Sequence, residues 1–431
     1  KITNILIPFL VKYKMVNSLC FLIILSLKRL SDLKPYNKVK YKILVLTKIG
    51  GIDDIMSIPK NKNKDILFLE VNRSIFKKIY FSIYQIKNKK KLDTRGNEFL
   101  KKKYLNFLMK ILIKINKIYK IDGIIGFNYV YFAEKDLHTA CTKLKIPFLL
   151  LYKEGVSTDT ELKYLEYSLR KSKIKFEGSK IAVYSNYTKK LLYQTNFFDK
   201  NKIEVVGCSR LGRSFSYKNK IPKKQIVYYA IQNDRGLAHR FLKSFGNKFF
   251  KDLEYHKHYN AKYNWNDMHT KVLKILKKFA INNPEIKIII KVKTGVSMRS
   301  HSLPENIKLL YYGTGHHLLE TSKVVIGWNT TAILEGIAAN RFILLPYFHK
   351  KLKKEENGSE LSLKLKNKNY GYSENDFYKK LDSFMKKKYI KNEINNNLYS
   401  LEHYLGNKDN KANFRLLSFI KKNIKKPLTF N

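Results

Sequence analysis

The sequence predicts an α/β chain of two doubly wound domains with a cleft between them. Three observations predict it. Short runs of Val, Ile and Leu recur from residue 42 to 346, separated by stretches of helical period, the alternation that builds a parallel sheet covered by helices. At 431 residues the chain exceeds the length, roughly 250–300 residues, at which one hydrophobic core stops growing. The periodicity also fails in mid-chain, over CSRLGRSFSYKNKIPKK (208–224), which is polar and carries Gly and Pro.

Residues 1–36 form an apolar and basic segment. Within it VNSLCFLIILSL (16–27) lies between Lys14 and Lys28 and falls short of the ~20 residues that span a bilayer. It reads as a core or interface helix, a membrane-surface anchor or a signal-like segment. The first domain, 37–208, opens with KYKILVLTKIGGIDDI (41–56): a strand, a Gly-Gly turn and a helix start. DILFLE (65–70), DGIIGF (122–127), PFLLLY (147–152), KIAVYS (180–185) and KIEVVG (202–207) follow as strands. Their apolar residues run on without alternation, as in strands covered on both faces. Helical stretches lie at 98–119, 131–145, 160–171 and 187–196.

Residues 209–224 read as a linker. The second domain, 225–400, begins with QIVYYAIQ (225–232) and an aromatic, basic insertion (233–266). A helix at 267–282, strands EIKIIIKVK (285–293) and NIKLLYY (306–312), and a helix at 316–322 come next. The lysine-rich 350–369 reads as a loop, 375–390 as a helix, and 401–431 as a helical tail with its helix at 410–424. No internal repeat is present.

Eighty-six Lys and Arg against 34 Asp and Glu give a net charge of +52. The lysines are spread through the chain instead of gathered in one arm. A global compositional bias, such as an AT-rich genome imposes, accounts for that better than a nucleic-acid code. No nucleic-acid-binding module or basic helix stands out, although FFKDLEYHKHYNAKYNW (249–265) mixes rings and bases. Specific nucleic-acid recognition is therefore not expected. The positive field attracts nucleotides, nucleotide-sugars and anionic head groups. Cys20, Cys141 and Cys208 are widely spaced, which fits neither a disulfide framework nor a zinc site. A reducing, cytoplasmic location follows as the expectation, with the inner face of the cell membrane as a peripheral site. His316-His317 and His256-x-His258 lack acidic or thiol companions at ligand spacing, so no metal is expected.

The most informative stretch is VVIGWNTTAILEGIAANRFILLP (324–346). Between Lys323 and Arg341 its only charged side chain is Glu335. VVIG is a buried strand; Asn329, Thr330 and Thr331 are helix-capping types; AILEGIAA is a helix and RFILLP a second strand. A capping box needs its Glu three residues after the cap, where this chain has Ala332, Ile333 and Leu334. Glu335 lies one turn deeper, on the face of Thr331. A Glu is rarely buried without a partner, and the partner read here is a ligand at the strand's carboxyl end, or water in its absence.

The order of these motifs resembles the superfamily of GT-B-type nucleotide-sugar glycosyltransferases and UDP-N-acetylglucosamine 2-epimerases, over about residues 42 to 346. The resemblance implies two Rossmann-like domains with an interdomain cleft. YKEGVST (152–158) is similar to the acidic-acidic-Gly motif of sialyl- and octulosonate-type transferases and to the Glu-Ala-Gly segment of the epimerases. It implies Glu154 as general base on an acceptor hydroxyl, with Lys153 in the other acidic place. Asp53 or Asp54, beside Gly50-Gly51, is the alternative base. KIEVVGCSRLGRSF (202–215) resembles the strand closing the first domain, which puts Arg210 and Arg213 toward phosphates. IIIKVKTG (288–295) stands where the transferases carry Lys-Pro-His-Pro; the Pro and His are absent, and Lys291 and Lys293 supply the charge.

YYGTGHHLLETSKVVIG (311–327) is similar to the loop that meets base or ribose, which implies Gly315 and His316 there. The 324–346 stretch resembles the strand–Asn–Ser/Thr–Glu–Ala element of the transferases. It implies phosphates docked on Asn329, Thr330 and Thr331, ribose on Glu335, and room for the nucleotide at Ala332 and Gly336. The expected activity is transfer of a hexosyl, sialyl or octulosonate group from a nucleotide-sugar to a surface polysaccharide or lipid-linked acceptor, with no cofactor. The alternatives are a 2-epimerase or hydrolase on the same scaffold and, behind it, a polyanion-binding protein.

Overall fold

The structure, a computed structural model, describes residues 2–30, 39–48, 50–59, 64–85, 98–129, 134, 136–153, 156, 175–194, 198–230, 265–292, 303–313, 315–328, 330–348, 365–388 and 398–424. The chain divides into two compact units: Lys1–Gly155 with Leu165–Arg210 and Tyr404–Asn431, and Val156–Tyr164 with Leu211–His403. The helix expected at 160–171 and most of the insertion expected at 233–266 lie outside the described residues.

The first unit holds a sheet of seven strands: β1 (Lys28–Arg29), β2 (Tyr41–Leu46), β3 (Ile66–Val71), β4 (Gly123–Gly126), β5 (Phe148–Tyr152), β6 (Lys180–Val183) and β7 (Ile203–Val205), in spatial order β1-β3-β2-β4-β5-β6-β7. All pairs are parallel except β1 with β3. The chain enters at β2, builds outward through β3, and returns to the other side of β2 as β4. The carboxyl ends of β2 and β4 therefore flank a topological switch point, where such sheets open a crevice.

Residues of β2 and β3 alternate between two cores. Leu44, Leu46, Leu67 and Leu69 face one side, Ile43, Val45, Ile66 and Phe68 the other. The first side is covered by α1 (Ile2–Lys12), α2 (Val16–Leu25), α4 (Arg73–Ile83), α5 (Glu98–Tyr119) and α6 (Leu137–Lys143); α3 (Gly51–Met56) brings Ile55 to the second. Of the 1–36 segment, the described residues form two helices and the short β1, folded onto this unit. Residues 404–424 also belong to it: α14 (Ala412–Asn423) lays Leu416, Leu417, Phe419 and Ile420 against Ile43, Val45 and Phe68, instead of standing apart as a tail. α7 (Asn186–Gln194) follows β6.

The second unit holds β8 (Gln225–Tyr229), β9 (Lys287–Lys291), β10 (Ile307–Leu310), β11 (Val324–Ile326), β12 (Phe342–Pro346) and β13 (Tyr370–Gly371) in the order β10-β9-β8-β11-β12-β13, all parallel. Its switch point lies between β8 and β11. The helices are α8 (Leu211–Ser216), α9 (Trp265–Asn282), α10 (Leu318–Thr321), α11 (Thr331–Ala338) and α12 (Glu374–Lys386), and α13 (Leu398–Leu405) contains the boundary back to the first unit.

The stretch read as a linker is partly structured, with α8 inside it. Arg341, fully buried, holds the end of that stretch. Its guanidinium donates to the carbonyls of Leu319 (2.7 Å), Tyr217 (3.0 Å), Lys220 (3.1 Å) and Glu320 (3.2 Å). The buried charge is tolerated there in part because these bonds go to carbonyls at helix or turn ends, where the dipole is negative.

Candidate functional site

In the second unit the switch point gathers three loops. Tyr229 ends β8, and its hydroxyl donates to the Gly315 carbonyl at 2.9 Å. That bond needs close approach: a Cβ on Gly315 would stand 2.6 Å from the Tyr229 ring. It sets the turn that delivers His316, 7% exposed, to the amino side of α10. After β11 the chain turns through Gly327 and Trp328 into Thr330, the cap of α11, whose hydroxyl accepts from the Ala332 N–H at 3.4 Å. Thr331 is the first residue of α11, and Glu335 sits one turn in, 6% exposed.

His316 and Glu335 meet. Nδ1 lies 3.1 Å from the carboxylate Oε2, an ion-pair distance that carries charge when the imidazole is protonated. Glu335 therefore has a partner in the structure that is a histidine of its own unit, where the sequence reading favoured a ligand, or water in its absence, over a protein cation. Its charge, with burial as the larger cause, pushes the Tyr229 phenol well above its ordinary range and keeps that hydroxyl a donor. The cluster offers a bound molecule a carboxylate, an imidazole and the amino end of α11, where N–H groups lack partners within the helix.

The other expected residues of this unit fall differently. Lys291 ends β9, but its ammonium donates to the Val292 carbonyl at 3.0 Å, and burial lowers its pKa. Gly336 faces the sheet: a Cβ there would meet Ile343 at 2.9 Å and Val325 at 3.2 Å, so the missing side chain lets α11 pack onto β11 and β12 instead of making room for a nucleotide. Asn329 and Lys293 lie outside the described residues.

The first unit's switch point is built on Gly50-Gly51. Gly50 has φ +81°, a backbone few other residues adopt, and Gly51 lies against the Phe127 ring, with 2.3 Å from the ring to any Cβ placed there. Asp53 is third in α3, and its carboxylate accepts from the Gly50 N–H at 3.2 Å, so the alternative base also closes the turn. Asp54, 3% exposed, is the other acid named as an alternative base, and it is committed to protein partners. It accepts from the Arg210 N–H (2.9 Å), from the Arg210 guanidinium (3.0 Å) and from the Tyr184 hydroxyl, which itself accepts from Arg210 at 2.6 Å. Burial, the largest cause, holds the Tyr184 pKa well above its ordinary range although Arg210 acts to lower it, so the hydroxyl keeps its proton. Arg210, expected to face phosphates, is 6% exposed in this triad.

Glu134 is a second buried carboxylate, fully covered. It accepts from the N–H groups of Phe127 (2.8 Å) and Asn128 (2.5 Å) and pairs with Arg73 at 3.2 Å, fixing the turn after β4. Burial raises its pKa. It shows the pattern of Glu335, an acid closing an apolar run, here YVYFAE (129–134). Lys153 follows β5, and its ammonium would lie 3.2 Å from a Cβ on Gly50; Glu154 lies outside the described residues. Among the described residues no three His, Cys, Asp or Glu side chains gather as metal ligands.

No protein-family model matches the chain, and no curated protein does. Among solved structures it is similar to a Listeria monocytogenes protein assigned as a UDP-N-acetylglucosamine 2-epimerase, at 11% identity and a TM-score of 0.50, over 91% of this chain and 100% of that one. It is also similar to the Rickettsia bellii UDP-N-acetylglucosamine 2-epimerase (10%, TM-score 0.48, 89% and 97%) and to the glycosyltransferase SnogD of Streptomyces nogalater (8%, TM-score 0.43, 89% and 100%). At such identities the likeness establishes the fold: two Rossmann-like domains of the GT-B type.

Proposed function

We propose that this GT-B-fold chain is a glycosyltransferase that uses a nucleotide-sugar and passes the sugar to a polysaccharide or lipid-linked acceptor. The observation that carries the reading is the His316–Glu335 pair, beside the amino end of α11 and at the switch point of the second unit's sheet. Phosphates dock on the N–H groups of α11 with Asn329, Thr330 and Thr331, where the dipole favours negative charge. Glu335 accepts from ribose hydroxyls, and His316 holds that carboxylate in place until they arrive. Fixed positive charge stabilises the departing nucleotide's phosphate. Glu154, or Asp53, takes the acceptor proton.

A thermal-shift panel of UDP, CDP, CMP, GDP and their sugars tests this on wild type, Glu335→Ala and Glu335→Gln. One nucleotide is expected to raise the melting temperature of the wild type, and both variants to lose most of that shift. An unchanged shift in both removes the ribose role.

A second reading, a 2-epimerase or hydrolase, has one feature in its favour: Lys153 stands where the transferase motif carries an acid. Incubation with UDP-N-acetylglucosamine alone separates the two. Release of UDP and a free 2-epimer without acceptor supports the epimerase; an intact donor until acceptor is added supports transfer.

A further inference from the structure

The first unit turns an apolar face outward at its amino end. On α1 the outward ridge is Ile5, Phe9 and, just beyond the helix, Tyr13, at 78, 51 and 57% exposure. On α2 it is Phe21 and Leu25, at 59 and 65%. These are i, i+4 neighbours, so each ridge is one continuous stripe. The opposite faces are already spent on the core: Ile7, Leu10 and Val11 from α1, Leu19, Cys20 and Ile23 from α2. A surface helix of a water-soluble domain normally has polar residues on its outer side; α2 has no charged residue on any side. Apolar stripes side by side mark a surface that meets something other than water.

The charge around them says what. Residues 1–31 contain five Lys or Arg and no Asp or Glu. Lys14 at the α1–α2 turn, with Lys110 and Lys114 of α5, lines an open groove of ≈ 550 Å³ beside the first turn of α2, and Ile113 extends the apolar surface on its floor. Met15 caps α2 without a side-chain bond. A second copy of the chain would bring the same lysines against themselves, which repel. A partner whose surface is anionic and whose interior is apolar satisfies both stripe and rim.

We propose that the α1–α2 face is a docking surface for an anionic lipid bilayer. Phe9, Tyr13, Phe21 and Leu25 enter the boundary between head groups and acyl chains, and Lys12, Lys14, Lys110 and Lys114 meet lipid phosphates. The helices lie on the membrane and do not cross it: among the described residues no helix is long and apolar enough to do so.

The test is flotation of the intact chain, at physiological ionic strength, with phosphatidylcholine vesicles and with vesicles containing about 30% phosphatidylglycerol. The wild type is expected to float with the anionic vesicles only. A triple variant, Phe9→Ser, Phe21→Ser and Leu25→Ser, keeps the net charge and is expected to bind at least ~10-fold more weakly. Phe9→Trp, which leaves the stripe apolar, is expected to shift its emission to the blue with anionic vesicles. Wild type that stays unbound, a triple variant that floats like the wild type, or an unmoved Phe9→Trp emission overturns the proposal. So does light scattering that shows a dimer which the triple variant dissolves, because a second copy then covers the face.

Discussion

Among the buried charged side chains, Arg341, Asp54 and Glu335 meet three different kinds of partner: backbone carbonyls, a guanidinium with a phenol, and an imidazole. Each predicts a different response to substitution. Arg341→Met removes the donor to four carbonyls at once, and is expected to cost about 3 kcal/mol or more, read from urea unfolding, with the loss centred on the second unit. His138, 2% exposed, makes a prediction in pH. Burial is the main reason its pKa falls to about 4, with repulsion from Lys202 and Lys101 adding to it. The folded chain resists protonating this imidazole while the unfolded chain accepts the proton near pH 6.5. Its contribution is therefore complete above about pH 6.5 and lost as pH falls toward 4, by about 3 kcal/mol in all. His138→Gln is expected to flatten that limb of the stability profile. Burial of Glu134 acts in the opposite sense, against stability as pH rises, so the comparison with the variant isolates the histidine. At this scale the sequence was partly legible. A lone acid in an apolar run pointed to Glu335, and Gly315 and His316 were drawn to the same region by their loop. That His316 would meet Glu335, and Asp54 meet Arg210, depends on which loops converge at strand ends, and residue spacing does not encode that.

Elements were more legible, because strands covered on both faces must be apolar throughout. β2 and β4 to β12 all lie within the runs read from sequence, and β3 overruns its run only by Val71. β1 and β13, two residues each, are too short to leave a pattern. α4 went unread because RSIFKKIYFSI is rich in β-branched and aromatic residues, whose strand preference masks the recurrence of Ile75, Ile79 and Ile83. α11 shows the finer limit. Its extent was plain, yet Gly336, read as space for a ligand, is a packing contact. Gly336→Ala is expected to lower stability by about 1–3 kcal/mol by forcing α11 off Ile343 and Val325, without abolishing nucleotide-induced thermal shifts. Thr330→Ala, which removes the cap, is expected to cost about 1 kcal/mol in the same measurement.

For the molecule as a whole, a net charge of +52 predicts adhesion to any polyanion. Retention on heparin or single-stranded DNA is expected to fall steeply with salt and to show no sequence preference; a site-specific footprint at physiological salt would contradict that. The two-sheet plan was legible from the restart of strand periodicity at residue 225, but the ownership of the last residues was not. An amphipathic period says that Leu416 and Ile420 face inward; it does not say which sheet receives them. Deleting residues 404–431 is accordingly expected to expose Ile43, Val45 and Phe68 and to make the first unit aggregate, whereas a free-standing tail would be dispensable.

That return of α14 also bears on synthesis. The ribosome releases β2 and β3 early, yet the helix that seals one side of their sheet is not translated until the whole second unit has been made. At roughly 5–20 residues per second, that side waits for tens of seconds. The nascent chain thus carries a sticky, half-dressed sheet through most of translation, and a cell making this protein quickly needs a chaperone to shield it.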